Sequence, residues 1–91
     1  MLKSEKCNNF EGLKIISREN YSDQRGDFFK IFNFDDLKEF GWVDQVKQIN
    51  FSQTLKKGTV RGMHMQFSTY AEYKLVTCIK GCIFDVAVDL R

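Results

Sequence analysis

The chain has 91 residues, 43% of them hydrophobic and 14% aromatic, with nine phenylalanines and no proline. That bounds it to one small domain over residues 1–91, able to bury somewhat more than ~60% of its unfolded surface. Fourteen basic against twelve acidic residues leave a net charge of +2 with the signs interspersed, too weak and too mixed to point to a nucleic-acid partner or an anionic membrane.

Residues 1–11 are polar and read as a loose arm or a short edge piece. Residues 12–17, Gly-Leu-Lys-Ile-Ile-Ser, form a short β-like run. Residues 19–26 gather the Asn, Ser, Asp and Gly of a turn, and residues 27–32 return to an aromatic-rich strand pattern. Asn33 is placed as the N-cap of one short helix near 34–40, with Asp35 and Asp36 in its first turn and Gly41 to stop it. From there the pattern is nearly all β. Residues 45–53 alternate, with Val46, Gln48, Asn50 and Ser52 on one face. Residues 55–58 form a turn, residues 58–66 a central strand and residues 67–71 a connecting loop. Residues 72–79 and 82–90 make two more strands around a tight Lys80-Gly81 turn. Short strands at close spacing argue an all-β sandwich or barrel. Only five or six strands can be counted against the eight of a jelly roll, so the barrel is incomplete or another chain completes it.

No apolar run nears the ~20 residues that span a bilayer, and the charged N-terminus has no apolar signal core behind it, so a cytoplasmic location is expected. Cys7, Cys78 and Cys82 are odd in number and form no CxxC pair, which argues against a secreted disulfide framework. Cys78 and Cys82 sit in apolar runs, where a free cysteine acts as a small hydrophobe. A lone histidine cannot supply a multi-histidine metal site, and no Cys/His spacing suits zinc, so neither metal nor cofactor is expected. Phe28, Phe29, Phe32 and Phe34 read as core rather than as a base-stacking platform.

That lone histidine, His64, carries the most chemistry in the chain. It lies in the stretch Lys57 to Gln66, with Arg61 three residues before it and Gln66 two after. Taken alone, a strand histidine is more often structural than catalytic. In a regular strand Arg61 and His64 point to opposite faces. For both to line one pocket, Gly62 must sit at a bulge or kink, which glycine permits.

Five pieces of sequence extend this reading. They are Asp23-Gln24-Arg25-Gly26-Asp27-Phe28-Phe29, Gln48-Ile49-Asn50-Phe51-Ser52, Lys57-Gly58 with Arg61-Gly62-Met63-His64-Met65-Gln66, Lys74-Leu75-Val76, and Phe84 to Arg91. In order and spacing the chain resembles the dTDP-4-dehydrorhamnose 3,5-epimerase family, from about Leu13 to Arg91. The resemblance implies a metal-free cupin-type jelly roll, of which the chain covers about the first half, working as a homodimer with exchanged N-terminal strands. It implies an isomerase acting on a nucleotide-linked 4-keto-6-deoxy sugar, as in dTDP-rhamnose biosynthesis. Such an enzyme removes protons from the carbons flanking the ketone and returns them on the other face. This needs a base near neutral pKa, a cation for the enolate oxygen and an acid opposite.

Carried over residue by residue, the resemblance makes His64 the base and Lys74 the enolate-stabilising cation. It puts Arg61, Gln48, Asn50 and Phe28 among the substrate-binding positions, with Asp85 as a supporting residue, and gives Arg25 the nucleotide end from the neighbouring subunit. Two features depart from the family. Lys30 stands where a glutamate is usual, so the preference at the nucleotide end is open. The family's tyrosine acid and its histidine-orienting aspartate have no counterpart here; Tyr21, Tyr70 and Tyr73 stand at other places. The isolated chain is therefore expected to be impaired unless another chain supplies the missing strands. Two alternatives stay open, a truncated cupin half that only binds a nucleotide sugar or dimerises, and a nucleotide-sugar ketoisomerase.

Overall fold

The computed structural model describes residues 2–6 and 11–91. The chain divides into two compact units, residues 1–42 with 76–91, and residues 43–75.

Regular structure is concentrated in the first unit. Strand β1, Leu2–Lys6, pairs antiparallel with β2, Lys14–Arg18, in a register that sets Leu2 opposite Arg18 and Lys6 opposite Lys14. Residues 2–6 of the polar arm are thus an edge strand, and the apolar run expected at 12–17 pairs over 14–18 instead. Side chains of β2 alternate, with Lys14, Ile16 and Arg18 half-buried and Ile15 and Ser17 exposed, the period-2 pattern of a strand with one wet face.

The segment 19–26, expected as a turn, is largely strand. Strand β3, Asn20–Asp23, and strand β4, Gly26–Phe29, form an antiparallel hairpin around the two-residue loop Gln24-Arg25. Two observations explain why turn-rich chemistry makes a ladder here. Asp27 accepts from Asn20 Nδ2 at 3.2 Å and from the Ser22 hydroxyl across the strands, and Tyr21 stands opposite Phe28, an aromatic pair of the kind that favours sheets. Polar residues that signal a turn when read along the chain serve as cross-strand partners when read across it.

Helix α1, Phe34–Glu39, forms where the sequence puts it. Asn33 is its N-cap, its side chain accepting from the Asp36 amide at 2.9 Å. At the other end Gly41 has φ +105°. Its amide donates to the Lys38 carbonyl at 3.1 Å, and the Trp42 amide donates to Leu37 O at 2.9 Å. These two bonds are a Schellman motif, which needs a left-handed residue after the helix and so favours glycine. The Lys14 ammonium caps the Phe40 carbonyl. The helix packs on β1, where the Leu2 amide donates to Asp36 Oδ2 at 3.4 Å. Leu2 and Leu37, each 3% exposed, are the buried hydrophobic residues among those described.

Two expectations need correction. Residues 45–53, 58–66, 72–79 and 82–90 run without strand pairing, and among the described residues the sheets are two separate two-stranded ribbons. An alternating pattern gives a segment its preference for extended backbone, but a ladder also needs a neighbouring edge at 4.7–4.9 Å, and none of the described residues presents one to these segments. For the same reason the expected core is thin. Phe28, Phe32 and Phe34 are exposed, as are Cys78 and Cys82; Cys7 lies outside the described residues. Among the described residues no helix is long and apolar enough to cross a membrane.

Candidate functional site

Within residues 43–75, two devices shape the stretch around His64. The turn before it closes through Thr59, whose amide and hydroxyl both donate to the Lys56 carbonyl, at 3.3 and 2.8 Å. Gly62 follows with φ +101°, which breaks the strand alternation. A Cβ at residue 62 would lie 3.0 Å from His64 Nδ1 and 3.3 Å from the His64 amide nitrogen. Glycine is required there on two counts, backbone conformation and the close approach of the imidazole.

The imidazole opens on a hollow of about 320 Å³ lined by His64, Met65, Gln66, Ala71, Glu72 and Lys74. His64 and Gln66 are two apart, as are Glu72 and Lys74, the spacing that puts extended-chain residues on one face. The 3₁₀ turn Ser68–Tyr70, closed by the Tyr70 amide on the Phe67 carbonyl at 2.7 Å, joins the two segments. Lys74 Nζ lies 3.5 Å from Glu72 Oε1, with the two side chains 45% and 54% exposed. An ion pair this wet contributes at most about 1 kcal/mol, so the ammonium stays free to turn toward an incoming anion. Glu72 is the residue in the hollow that sequence reasoning missed; its signal was the two-residue spacing to Lys74.

The other expected site residues are placed differently. Gly62 does kink the chain, yet Arg61 does not line the hollow. Its Nε donates to Thr54 Oγ1 at 3.3 Å and its Nη2 to the Gln53 carbonyl at 3.5 Å. The left-handed turn at 62 redirects the chain after Arg61, leaving the guanidinium against the segment before Leu55. Gln48 Nε2 donates to Asn50 Oδ1 at 3.1 Å, which ties these two together on the face predicted for them but outside the His64 lining.

Arg25, Phe28 and Asp85 belong to the other unit. Arg25 sits in the hairpin loop, where Asp23 accepts from its amide at 2.8 Å, its Nε at 3.1 Å and its Nη2 at 2.6 Å. This clamp on Arg25 holds the Asp23 carboxyl below the usual carboxylate range. Phe28 is 70% exposed on β4 and Asp85 is exposed. Among the described residues no group of three or more His, Cys, Asp or Glu side chains could hold a metal ion.

A hollow joining imidazole, ammonium and carboxylate is equipped to move protons, and the family to which it belongs is decided by comparison. The dTDP-4-dehydrorhamnose 3,5-epimerase family profile matches residues 8–91. The chain belongs to that family. Among individual relatives it is 38% identical over 82 residues to dTDP-4-dehydrorhamnose 3,5-epimerase of Escherichia coli (strain K12), covering 89% of this chain and 44% of that protein. It is 43% identical over 81 residues to the enzyme of the same description from Methanothermobacter thermautotrophicus, covering 89% of this chain and 43% of the relative. A dTDP-4-dehydrorhamnose 3-epimerase of Streptomyces niveus is 38% identical over 82 residues, covering 89% and 39%. The chain thus spans about two fifths of the length of the curated relatives it matches. No solved structure matches it significantly.

Proposed function

We propose that residues 1–91 form the base-bearing part of a nucleotide-sugar epimerase, built as the first portion of a cupin jelly roll. The substrate is a nucleotide-linked 4-keto-6-deoxy sugar, dTDP being the nucleotide named for the relatives. His64 takes the proton from a carbon beside the ketone, its neutral imidazole being the side chain suited to that task near neutral pH. The C–H electron pair moves into the carbon skeleton and the ketone oxygen becomes an enolate, whose charge the Lys74 ammonium meets. Return of a proton on the opposite face inverts the centre. Arg61, Gln48 and Asn50 bind substrate on the same chain. Arg25 and Phe28 serve the nucleotide end from a second subunit in a homodimer with exchanged N-terminal strands. The acid and the carboxylate that orients His64 come from the part of the relatives' span that residues 1–91 do not cover, and the protein works in the cytoplasm without metal or cofactor.

The observation that supports this reading most is that His64 and Lys74, ten residues apart in the matched region, line one hollow. A second reading, a segment that binds the sugar nucleotide without turning it over, is favoured by the Glu72 carboxylate already beside Lys74.

Solvent deuterium separates the two. The dTDP-4-keto-6-deoxy sugar incubated with the protein in D2O is expected to gain deuterium beside the ketone, and His64→Asn to abolish the gain. Calorimetric binding without wash-in would establish the second reading. Wash-in that survives His64→Asn would remove His64 from the mechanism. Product analysis by NMR separates inversion from carbonyl migration by a ketoisomerase.

A further inference from the structure

Arg18 ends β2 in a setting unlike that of the other arginines. Its guanidinium lies over the Phe29 ring, with Cζ 5.5 Å from the centroid, and its Nη2 donates to Thr77 Oγ1 at 3.4 Å. All three residues are half-buried in a chain whose side chains are mostly exposed. Ring face and hydroxyl hold the guanidinium in place, but neither neutralises it.

The other charged groups underline the point. Arg25 is paired with Asp23 and Arg91 with Asp89, while among the described residues Arg18 has no carboxylate within ion-pair distance. The acids near it in sequence are engaged. Glu19 accepts from the Tyr21 hydroxyl, and Asp27 accepts from Asn20 and Ser22.

The guanidinium opens on a hollow of about 470 Å³ that Ile16, Phe29 and Val76 also line. The hollow is open to solvent, and Ser17, Asn20 and Thr77 line it beside the apolar residues, so polar and apolar groups share its wall. A guanidinium presents five donors in a planar fork that matches carboxylate and phosphate oxygens, and Thr77 takes one of them. We propose that this hollow is an oxyanion-binding site, in which Arg18 receives the phosphoryl or carboxylate group of a small ligand whose apolar part rests on Ile16 and Val76. It shares no residue with the His64 hollow, and nothing in the proposed epimerase reading uses it.

The test uses the full chain labelled with 15N, titrated with sodium phosphate and, separately, sodium acetate, at ionic strength held constant with sodium chloride. The Arg Nε–Hε resonances are followed by two-dimensional NMR. A saturable shift at Arg18 and at the Thr77 amide is expected, with Arg91, which is paired with Asp89, unmoved. A response to phosphate alone identifies a phosphoryl site, and a response to both anions a general oxyanion site. Arg18→Met is expected to abolish the Thr77 shift, and Arg18→Lys to weaken binding by about tenfold or more through loss of the fork. No saturable shift with either anion, equal shifts at Arg18 and Arg91, or a Thr77 shift that survives Arg18→Met would overturn the proposal. Because the two arginines are compared within one unmutated protein, the result stands even if Arg18→Met fails to fold.

Discussion

At the scale of single residues, Gly62 carries more of the candidate site than its lack of a side chain suggests. Its φ of +101° is one that side-chain-bearing residues adopt at a cost of about 1–2 kcal/mol. The site penalty is separate, since an added methyl would press on His64 Nδ1 at 3.0 Å, closer than carbon and nitrogen tolerate without one of them moving. The ring must then give by a few tenths of an ångström. Gly62→Ala is therefore expected to shift the His64 ring resonances and to cut deuterium wash-in by less than the ~10²-fold that follows a misplacement of about 1 Å, yet by more than Gly58→Ala does. Gly58→Ala is the control. Gly58 has φ +82° and nothing within 4 Å of an added Cβ, so that variant carries the backbone strain without the collision. Equal loss of wash-in in both variants would mean that strain alone, not the approach to the imidazole, explains Gly62.

At the scale of elements, legibility followed the range of the forces involved. Helix α1 was readable because its determinants are local. Asn33, Asp35, Asp36 and Gly41 lie within nine residues of chain, and each acts on backbone groups beside it. The hairpin was half readable. Its loop chemistry marked the place, but Asn20, Ser22 and Asp27 became cross-strand partners, which composition along the chain does not reveal. In the site, the kink at Gly62 followed from the strand period, whereas the turn of Arg61 toward Thr54 did not, because it depends on where a second segment happens to lie. Local control of α1 has a measurable consequence. Asn33→Ala removes the acceptor for the Asp36 amide and is expected to destabilise the first unit by about 1 kcal/mol. Asn33→Asp, which keeps an acceptor and suits the helix N-terminus, should restore stability. Urea denaturation followed by Trp42 fluorescence checks both; an Asn33→Ala variant as stable as the unmutated chain would show that the cap contributes nothing.

At the scale of the whole chain, exposed apolar residues decide what the extended segments are for. The extended segments leave large apolar side chains in solvent. Ile49, Leu55, Val60 and Phe84 are each at least 85% exposed, and scattered surface hydrophobes do not account for such a run across the unpaired segments. A chain spanning two fifths of its relatives, with that much apolar surface on segments lacking ladder partners, is expected to gain order when further strands cover it. Hydrogen exchange reads this directly. In the 91-residue chain, amides of β1 to β4 and α1 should be protected, while those of 45–53, 58–66 and 82–90 should exchange within about tenfold of the unprotected rate, as segments without hydrogen-bonded neighbours do. In a longer polypeptide, with the remaining span of the Escherichia coli relative following Arg91, the same segments should become protected, residues 82–90 and 45–53 included. Protection of 45–53 equal to that of β2 in the 91-residue chain would show that these segments find partners among themselves, and the argument from their exposed apolar residues would fail.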